Sequence, residues 1–400
     1  MDAKGNPVIF TNGDNDTFPL WYNQETEGVR TDARVCNLSY LQTDWYIDQM
    51  RRPAYDSPSL PISWTRLQYV TGTREGIPVQ PDALQQVIDY YKDSPEDLKQ
   101  MLGDNPYELK NIIRHWVLND NPDLQIFPTD SIVVTVDKEA VKRSGMMIAA
   151  DSIPDVMHIS LKGKRAIYKS EMMMLEMISQ ANWERPLYMS TTVGPDNYGH
   201  LGDNFVQEGL ACRITPFDTK QSGRTIDSER MYNNMMNKFK YGGLKENPDI
   251  YLDETVIRMC YTHRRLFNQL AQQLLKEGQK DKALKVLQRA EEEIPGSIVP
   301  HEAFYGHSLE LADAWLALGH KAEAEKLLNA VGQNAKEYIE WYLSLNTQRL
   351  LQSSRECLMQ IYILNDIAKT WEPIDKKKAE TYRMEVNNYA SRCHQRGMSL

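Results

Sequence analysis

Apolar and polar positions follow two different patterns along the chain, and the change between them falls near residue 217. Before it, short β-prone runs alternate with segments of helical period. Val8–Phe10, Arg34–Leu38, Ile132–Val136, Pro186–Ser190 and Leu210–Ile214 read as strands. Phe18–Glu27, Asp44–Arg52 and Lys169–Asn182 read as helices. In the last of these, Met172, Met173, Met174, Leu175, Met177 and Ile178 are expected to be helix core, methionine being a flexible gap-filler, and not a metal-binding group. Strands and helices alternating at these lengths predict βαβ units and a Rossmann-like, mostly parallel sheet.

Between about 53 and 128 the alternation stops and prolines punctuate the chain. The pieces Ala83–Tyr91, Pro95–Leu102 and Tyr107–Leu118 keep helical spacing. Trp64, Leu67, Val87, Ile88, Leu109, Ile112 and Trp116 supply apolar surface to bury. This stretch is expected to be a helical insertion in an α/β domain spanning 1–217.

From 218 to 400 the pattern is helical. Phe267, Leu270, Ala271, Leu274, Ala283, Leu287, Ala290 and Pro295, with Gly278 between them, fall at the spacings of a tetratricopeptide (TPR) unit. Leu311, Ala312, Trp315, Gly319, Ala324, Leu328 and Val331 repeat the pattern. The small residues let antiparallel helices approach, and the large ones fill the groove between neighbours. Ala283 and Ala324 lie further apart than the roughly 34-residue TPR period, so an insertion is expected around Pro295–Ala303. After Asn334 the repeat blurs into three helices, 335–345, 350–370 and 375–393, which would complete and cap the stack. The fold class is therefore α/β followed by all-α, ending in a TPR-like helical repeat domain. Its concave face offers Tyr305, His307, Glu310 and Trp341 to a partner protein.

Composition narrows the function classes. A length of 400 residues exceeds one ordinary core, and 41% hydrophobic with 25% charged residues is usual for a globular chain. A formal net charge of −9 argues against a nucleic-acid partner. No apolar run approaches the roughly 20 residues that span a bilayer. No secretory signal precedes the first strand, so the chain is expected to be cytosolic or a segment excised from a larger protein. Five scattered cysteines without a C-x-x-C pair argue against a disulfide framework or a structural zinc site. The eight histidines contain no H-E-x-x-H, and the glycines form no dinucleotide or P-loop pattern, so no metal or cofactor is expected.

The densest chemistry is Asn12-Gly13-Asp14-Asn15-Asp16, directly after the first strand. Three readings fit it: a divalent-cation site, a sugar-nucleotide site, or a capped turn. Asp16 or Thr17 would then N-cap the helix and Pro19 would stand near its start. Other polar clusters follow other strands: Asn37, Ser39 and Asp44 after the second, and Thr191, Thr192, Asp196 and Asn197 after Pro186–Ser190. Carboxyl ends of parallel strands are where such folds bind ligands. Asn12, Asp14, Asn15, Asp16, Asn37, Asp44, Trp45, Thr192, Asp196 and Asn197 are thus expected to share a crevice, with Trp21, Tyr40, Trp45 and Tyr198 as stacking faces.

The block FTNGDNDTFPLWYNQETEGVRTDARVCNLSYLQTDWYIDQMRRP, with RPLYMSTTVGPDNY and FVQEGLACRITP, resembles the C-terminal region of a bacterial multispanning membrane family. Full-length members of that family look like protein O-mannosyltransferases of the glycosyltransferase-C class. The resemblance implies a non-catalytic region outside the membrane, on the periplasmic side. Its partners would be its own transmembrane half and a protein or glycan acceptor. The catalytic acid would lie in that half, so no catalytic residue is carried over to this chain. The alternative is that the α/β domain is itself a carbohydrate- or nucleotide-active enzyme using Asp14 and Asp16.

Overall fold

The computed structural model describes residues 4–398. The chain divides into two compact units, Met1–Arg230 and Met231–Leu400. The first is an α/β unit and the second is all-helical.

In the first unit, Val8–Thr11 (β1) and Arg34–Asn37 (β2) are parallel neighbours joined by the helix Asp14–Glu27 (α1). Asp44–Met50 (α2), Arg66–Tyr69 (α3), Gly76–Pro78 (β3), Ala83–Tyr90 (α4), Pro95–Leu102 (α5) and Leu109–Ile112 (α6) follow. Ser131–Thr135 (β4), Lys138–Arg143 (α7), Val156–Ser160 (β5), Ala166–Tyr168 (β6) and Lys169–Gln180 (α8) lead back to the sheet. Leu187–Ser190 (β7), Phe205–Gln207 (β8), Ala211–Ile214 (β9) and the short helices Thr219–Ser222 (α9) and Ser228–Asn233 (α10) end this part of the chain.

The main sheet has the order β2-β1-β7-β9-β8. β1 is an interior strand parallel to both neighbours, which is why its four residues are all buried and Val8–Phe10 read as an unbroken apolar run. Val8, Phe10, Cys36 and Met189 feed the large core on one face. Ile9, Val35, Tyr188 and Ala211 face the other side, where Leu20 and Trp21 of α1 cover them.

The sheet is mixed, not mostly parallel, because β9 runs antiparallel to both β7 and β8. Only Glu208-Gly209-Leu210 connects β8 to β9, too short for the crossover that a parallel pair needs. The strand expected at Ile132–Val136 exists as β4 but lies outside the main sheet, paired antiparallel with β5. Its burial alternates, as befits a ribbon with one face on the core. β3 and β6 form a second small ribbon.

In the 53–128 stretch Trp64, Leu109, Ile112 and Trp116 are buried, with Val87 and Ile88 packed against a cluster that includes Trp116. Leu67 departs from expectation and is 80% exposed. α3 is a single turn closed by a Thr65/Gln68 capping box, and it buries Tyr69 in place of Leu67. The α8 methionines are all in the core.

The second unit contains Glu254–Lys276 (α11), Lys280–Glu293 (α12), Ser308–Ala317 (α13), Lys321–Ser344 (α14), Thr347–Gln352 (α15), Ser354–Trp371 (α16) and Lys376–Gln395 (α17). α11 packs on α12, α13 on α14, and α16 on α17. Gly278 and Gly319 turn the first two pairs with φ of +75° and +83°, a region that favours glycine. Ala271, Ala283, Ala312 and Ala324 are completely buried. Between α12 and α13 the chain is non-helical, and the buried Arg264 guanidinium donates there to the carbonyls of Ile294, Val299 and Pro300 at 2.8–3.0 Å. The expected break near Asn334 is absent, since α14 runs through it. Within α14, a Cβ at Gly332 would lie 2.9 Å from the Tyr382 hydroxyl, so glycine lets α17 approach α14.

Candidate functional site

α1 begins one turn earlier than its apolar pattern suggests, at Asp14, with Gly13 in the N-cap position and no side-chain cap. Gly13 has φ +86°, which favours glycine, and this bend turns the chain from strand into helix. Asp16 and Thr17 therefore lie inside the first turn and do not cap it. Asp16 reaches back to accept the Asn12 backbone N–H at 3.0 Å, and its Oδ2 also accepts the Thr192 hydroxyl at 2.7 Å. One carboxylate thus joins the loop after β1 to the loop after β7. These are the strands between which the parallel sheet reverses its direction of growth, where α/β folds open a crevice. Pro19 sits inside α1, and its missing N–H leaves the Asn15 carbonyl without its usual helical donor.

Asn37, at the end of β2, is fully buried and saturated. Its Nδ2 donates to Gly13 O at 3.0 Å and to Thr17 Oγ1 at 2.9 Å. Its Oδ1 accepts from Tyr40 N, and its own N–H donates to the Tyr46 hydroxyl. Ser39 donates to Asn12 Oδ1 at 2.6 Å. Asn12, Asp16, Asn37 and Thr192 thus meet in one hydrogen-bonded network with Ser39 and Thr17, and Ser190 is a member that sequence reasoning did not single out.

The other expected ligands do not join it. Asp14 and Asn15 are exposed in the first turn of α1. Asp44 accepts the Thr71 N–H at 3.3 Å and lies 3.7 Å from Arg66; the Thr71 N–H, first, and Arg66 hold its carboxyl below the ordinary range. Asp196 is exposed in a short 3-10 turn, and Asn197 donates to Gly194 O within that turn. Tyr198 packs on Phe205, with ring centroids 4.9 Å apart.

Beside the network runs a ladder of aromatic rings. Phe18 stacks on Trp21 with centroids 5.6 Å apart, Trp21 on Tyr40 at 6.4 Å, and Tyr40 meets Trp45 at 5.9 Å. Trp45 is 54% exposed and Phe18 45%, so both ends of the ladder face solvent. Tyr46 supports it edge-on from below, itself fully buried. Tyr40 and Ser39 are adjacent in sequence, which places the ladder next to the polar network. Phe18 was not expected here. Its signal was the Phe18/Trp21 spacing of three on an otherwise polar helix.

The α/β unit also holds a polar cleft of about 680 Å³ lined by His158, Ser160, His200, Asp203, Asp218 and Arg224. Among the described residues no group of three or more His, Cys, Asp or Glu converges on a common point for a metal.

In the helical unit a groove of about 850 Å³ is lined by Tyr251, Arg258, Tyr261, Tyr305, Tyr338 and Arg355, among others. Tyr305 is there, with Arg258 over its ring at 5.8 Å. His307 lines an adjoining hollow and pairs with Glu310 at 3.2 Å; that hydrogen bond holds the Glu310 carboxyl below its ordinary range. Trp341 lines neither and packs edge-on against Tyr342. No described helix is long and apolar enough to cross a membrane.

Residues 1–234 match the family described as TMEM260-associated domain 2. No curated protein and no solved structure matches the chain significantly.

Proposed function

The chain belongs to the TMEM260-associated domain 2 family, and from that premise we propose that it is the extra-membrane region of a glycosyltransferase-like membrane protein, holding a glycan or glycosylated acceptor against its α/β unit. The reading rests on one observation. A solvent-facing aromatic ladder, Phe18–Trp21–Tyr40–Trp45, borders hydroxyl and amide groups at the carboxyl ends of β1 and β7. Sugars present apolar C–H faces to aromatic planes and hydroxyls to amides and carboxylates, so this pairing suits a carbohydrate.

Within this reading the two carboxylates divide their labour. Asp16 is spent on Asn12 and Thr192 and holds the rim together, while Asp14, Asn15 and the Asn15 carbonyl remain to meet hydroxyls. The site is non-catalytic, and chemistry belongs to the membrane half, on the periplasmic side. The tyrosine-lined groove of the helical unit would take the polypeptide part of an acceptor, in the manner of a TPR-like stack. A catalytic role for Asp14 and Asp16 has less support, because only one of the two carboxylates is free.

The test is titration of the full chain with mannobiose and with a mannosylated peptide, followed by tryptophan fluorescence and by calorimetry. Binding is expected, and Trp45→Ala should weaken it about tenfold or more, as loss of a stacking face worth ~1.5 kcal/mol does. Absence of binding to either ligand, or equal affinity in Trp45→Ala, would overturn the assignment.

A further inference from the structure

The helical unit ends in a hairpin that brings two thiols into contact. Cys357, in the first turn of α16, and Cys393, in the last turn of α17, place their Sγ atoms 3.9 Å apart. Both side chains are completely buried. The pair sits at the open end of the hairpin, opposite the turn between Trp371 and Lys376. At the same end, Arg396 ties the chain to α14 by donating to Leu343 O at 2.6 Å and Leu345 O at 2.7 Å.

We propose that Cys357 and Cys393 are the two halves of a disulfide that staples this terminal hairpin when the chain folds in the presence of a disulfide oxidant. A disulfide needs sulfurs at about 2.05 Å, and these two already face each other at 3.9 Å across packed helices with nothing between them to displace but each other's thiol hydrogens. The exchange balances as follows. The thiolate of one cysteine attacks a sulfur of the oxidant, glutathione disulfide or a protein disulfide, and expels a thiolate. The second cysteine then attacks the mixed disulfide and expels the other. Two electrons and two protons leave the pair, and the oxidant ends as two thiols.

Burial sets the timing. It pushes the Cys357 thiol up to about 12, so in the folded protein almost no thiolate is present to attack. The bond therefore forms during folding, before the hairpin closes over it. Once formed, it is shielded from soluble reductants for the same reason. A single bridge of this kind needs no cysteine-rich pattern in the sequence, and the remaining three of the five cysteines stay as thiols. The inference is independent of the glycan reading, so either can fail alone.

The test refolds the full chain from denaturant in a glutathione and glutathione-disulfide mixture, and in parallel with dithiothreitol. Alkylation under denaturing conditions followed by mass analysis should modify three cysteines in the first sample and five in the second. Proteolytic mapping should recover the Cys357 and Cys393 peptides joined. The oxidised protein should melt at a higher temperature, and Cys393→Ser should remove that difference. If Cys393→Ser does not fold, the alkylation count and peptide map on the unaltered chain still decide. Five alkylated cysteines after oxidative refolding, or a bridge joining any other pair, would overturn the proposal.

Discussion

Asp16 offers the sharpest test of how the crevice is built. Its carboxylate accepts two bonds from different loops, the Asn12 N–H at 3.0 Å and the Thr192 hydroxyl at 2.7 Å. A hydrogen bond to a charged group contributes about 1.5 to 3 kcal/mol net, and Asp16 is half-exposed, so each bond belongs at or below the low end of that range. Asp16→Ala should then cost about 2 to 3 kcal/mol. Asp16→Asn keeps one acceptor oxygen and should cost about 1 kcal/mol. Thr192→Val removes the shared bond together with the 2.6 Å contact to Ser190 Oγ and should cost about 1 to 2 kcal/mol. If that bond is real, the double variant will be less destabilised than the two single ones together, with a coupling of about 1 kcal/mol. Amide hydrogen exchange is the suitable assay, because peptides from β1, α1 and β7 report on this unit separately from the helical one. Additive costs, within about 0.3 kcal/mol, would mean that Asp16 and Thr192 do not touch, and the bridge between the β1 and β7 loops would have to be abandoned.

Three further expectations concern the helical unit. Arg264→Leu strips the buried Ile294 and Val299 carbonyls and the part-buried Pro300 carbonyl of their donor and should cost on the order of 3 kcal/mol in chemical denaturation. Gly332→Ala should destabilise by about 1 to 3 kcal/mol despite alanine's better helix propensity, because its Cβ would meet the Tyr382 ring; a neutral or stabilising result by thermal melt would remove the close-approach argument. His263 lies edge-on to Phe239 and Tyr241 with its Nδ1 buried and unpartnered, and burial lowers its pKa. A base with a depressed folded pKa contributes stability that is complete above its unfolded value of about 6.5 and lost as pH falls below it, so the unit should weaken on acidification through that range and His263→Phe should flatten the profile.

The elements most legible in the sequence are those whose burial is set by local period. β1, β2, α8 and the paired helices of the second unit announce themselves because each buries a run or a stripe. β5, β6 and β8 do not. They are three to five residues long, and their partners lie far away in sequence or, for β8, across a three-residue turn. Nor does Ser131–Thr135 declare which sheet it joins, since a β-branched run suits a central strand and a half-buried ribbon alike. Gly332 is silent along the chain for a similar reason, since the Tyr382 ring that it admits comes from α17, far away in sequence.

The candidate site shows where such reading stops. Position after a parallel strand correctly drew Asn12, Asp16, Asn37 and Thr192 to one place, because strand ends converge whatever the side chains do. Role did not follow from place. Asn37 spends its side-chain amide on Gly13, Thr17 and Tyr40, and is therefore part of the fold. Asp44 turns to Thr71 instead, a partner that appears only once the segment after α3 folds back. A polar residue advertises capacity for hydrogen bonds, and tertiary structure decides how much of that capacity is left. Subtracting what is consumed leaves Asp14, Asn15 and the Asn15 carbonyl on the same helix as exposed Phe18, at one end of the aromatic ladder. That remainder is short of free carboxylates and rich in ring faces. A metal or a nucleotide diphosphate needs the opposite balance, several converging anions or cations, whereas a sugar ring needs one flat apolar face and a few neutral acceptors. This balance, more than the Asp-Asn-Asp motif that first attracts attention, is the support for the proposal of a carbohydrate.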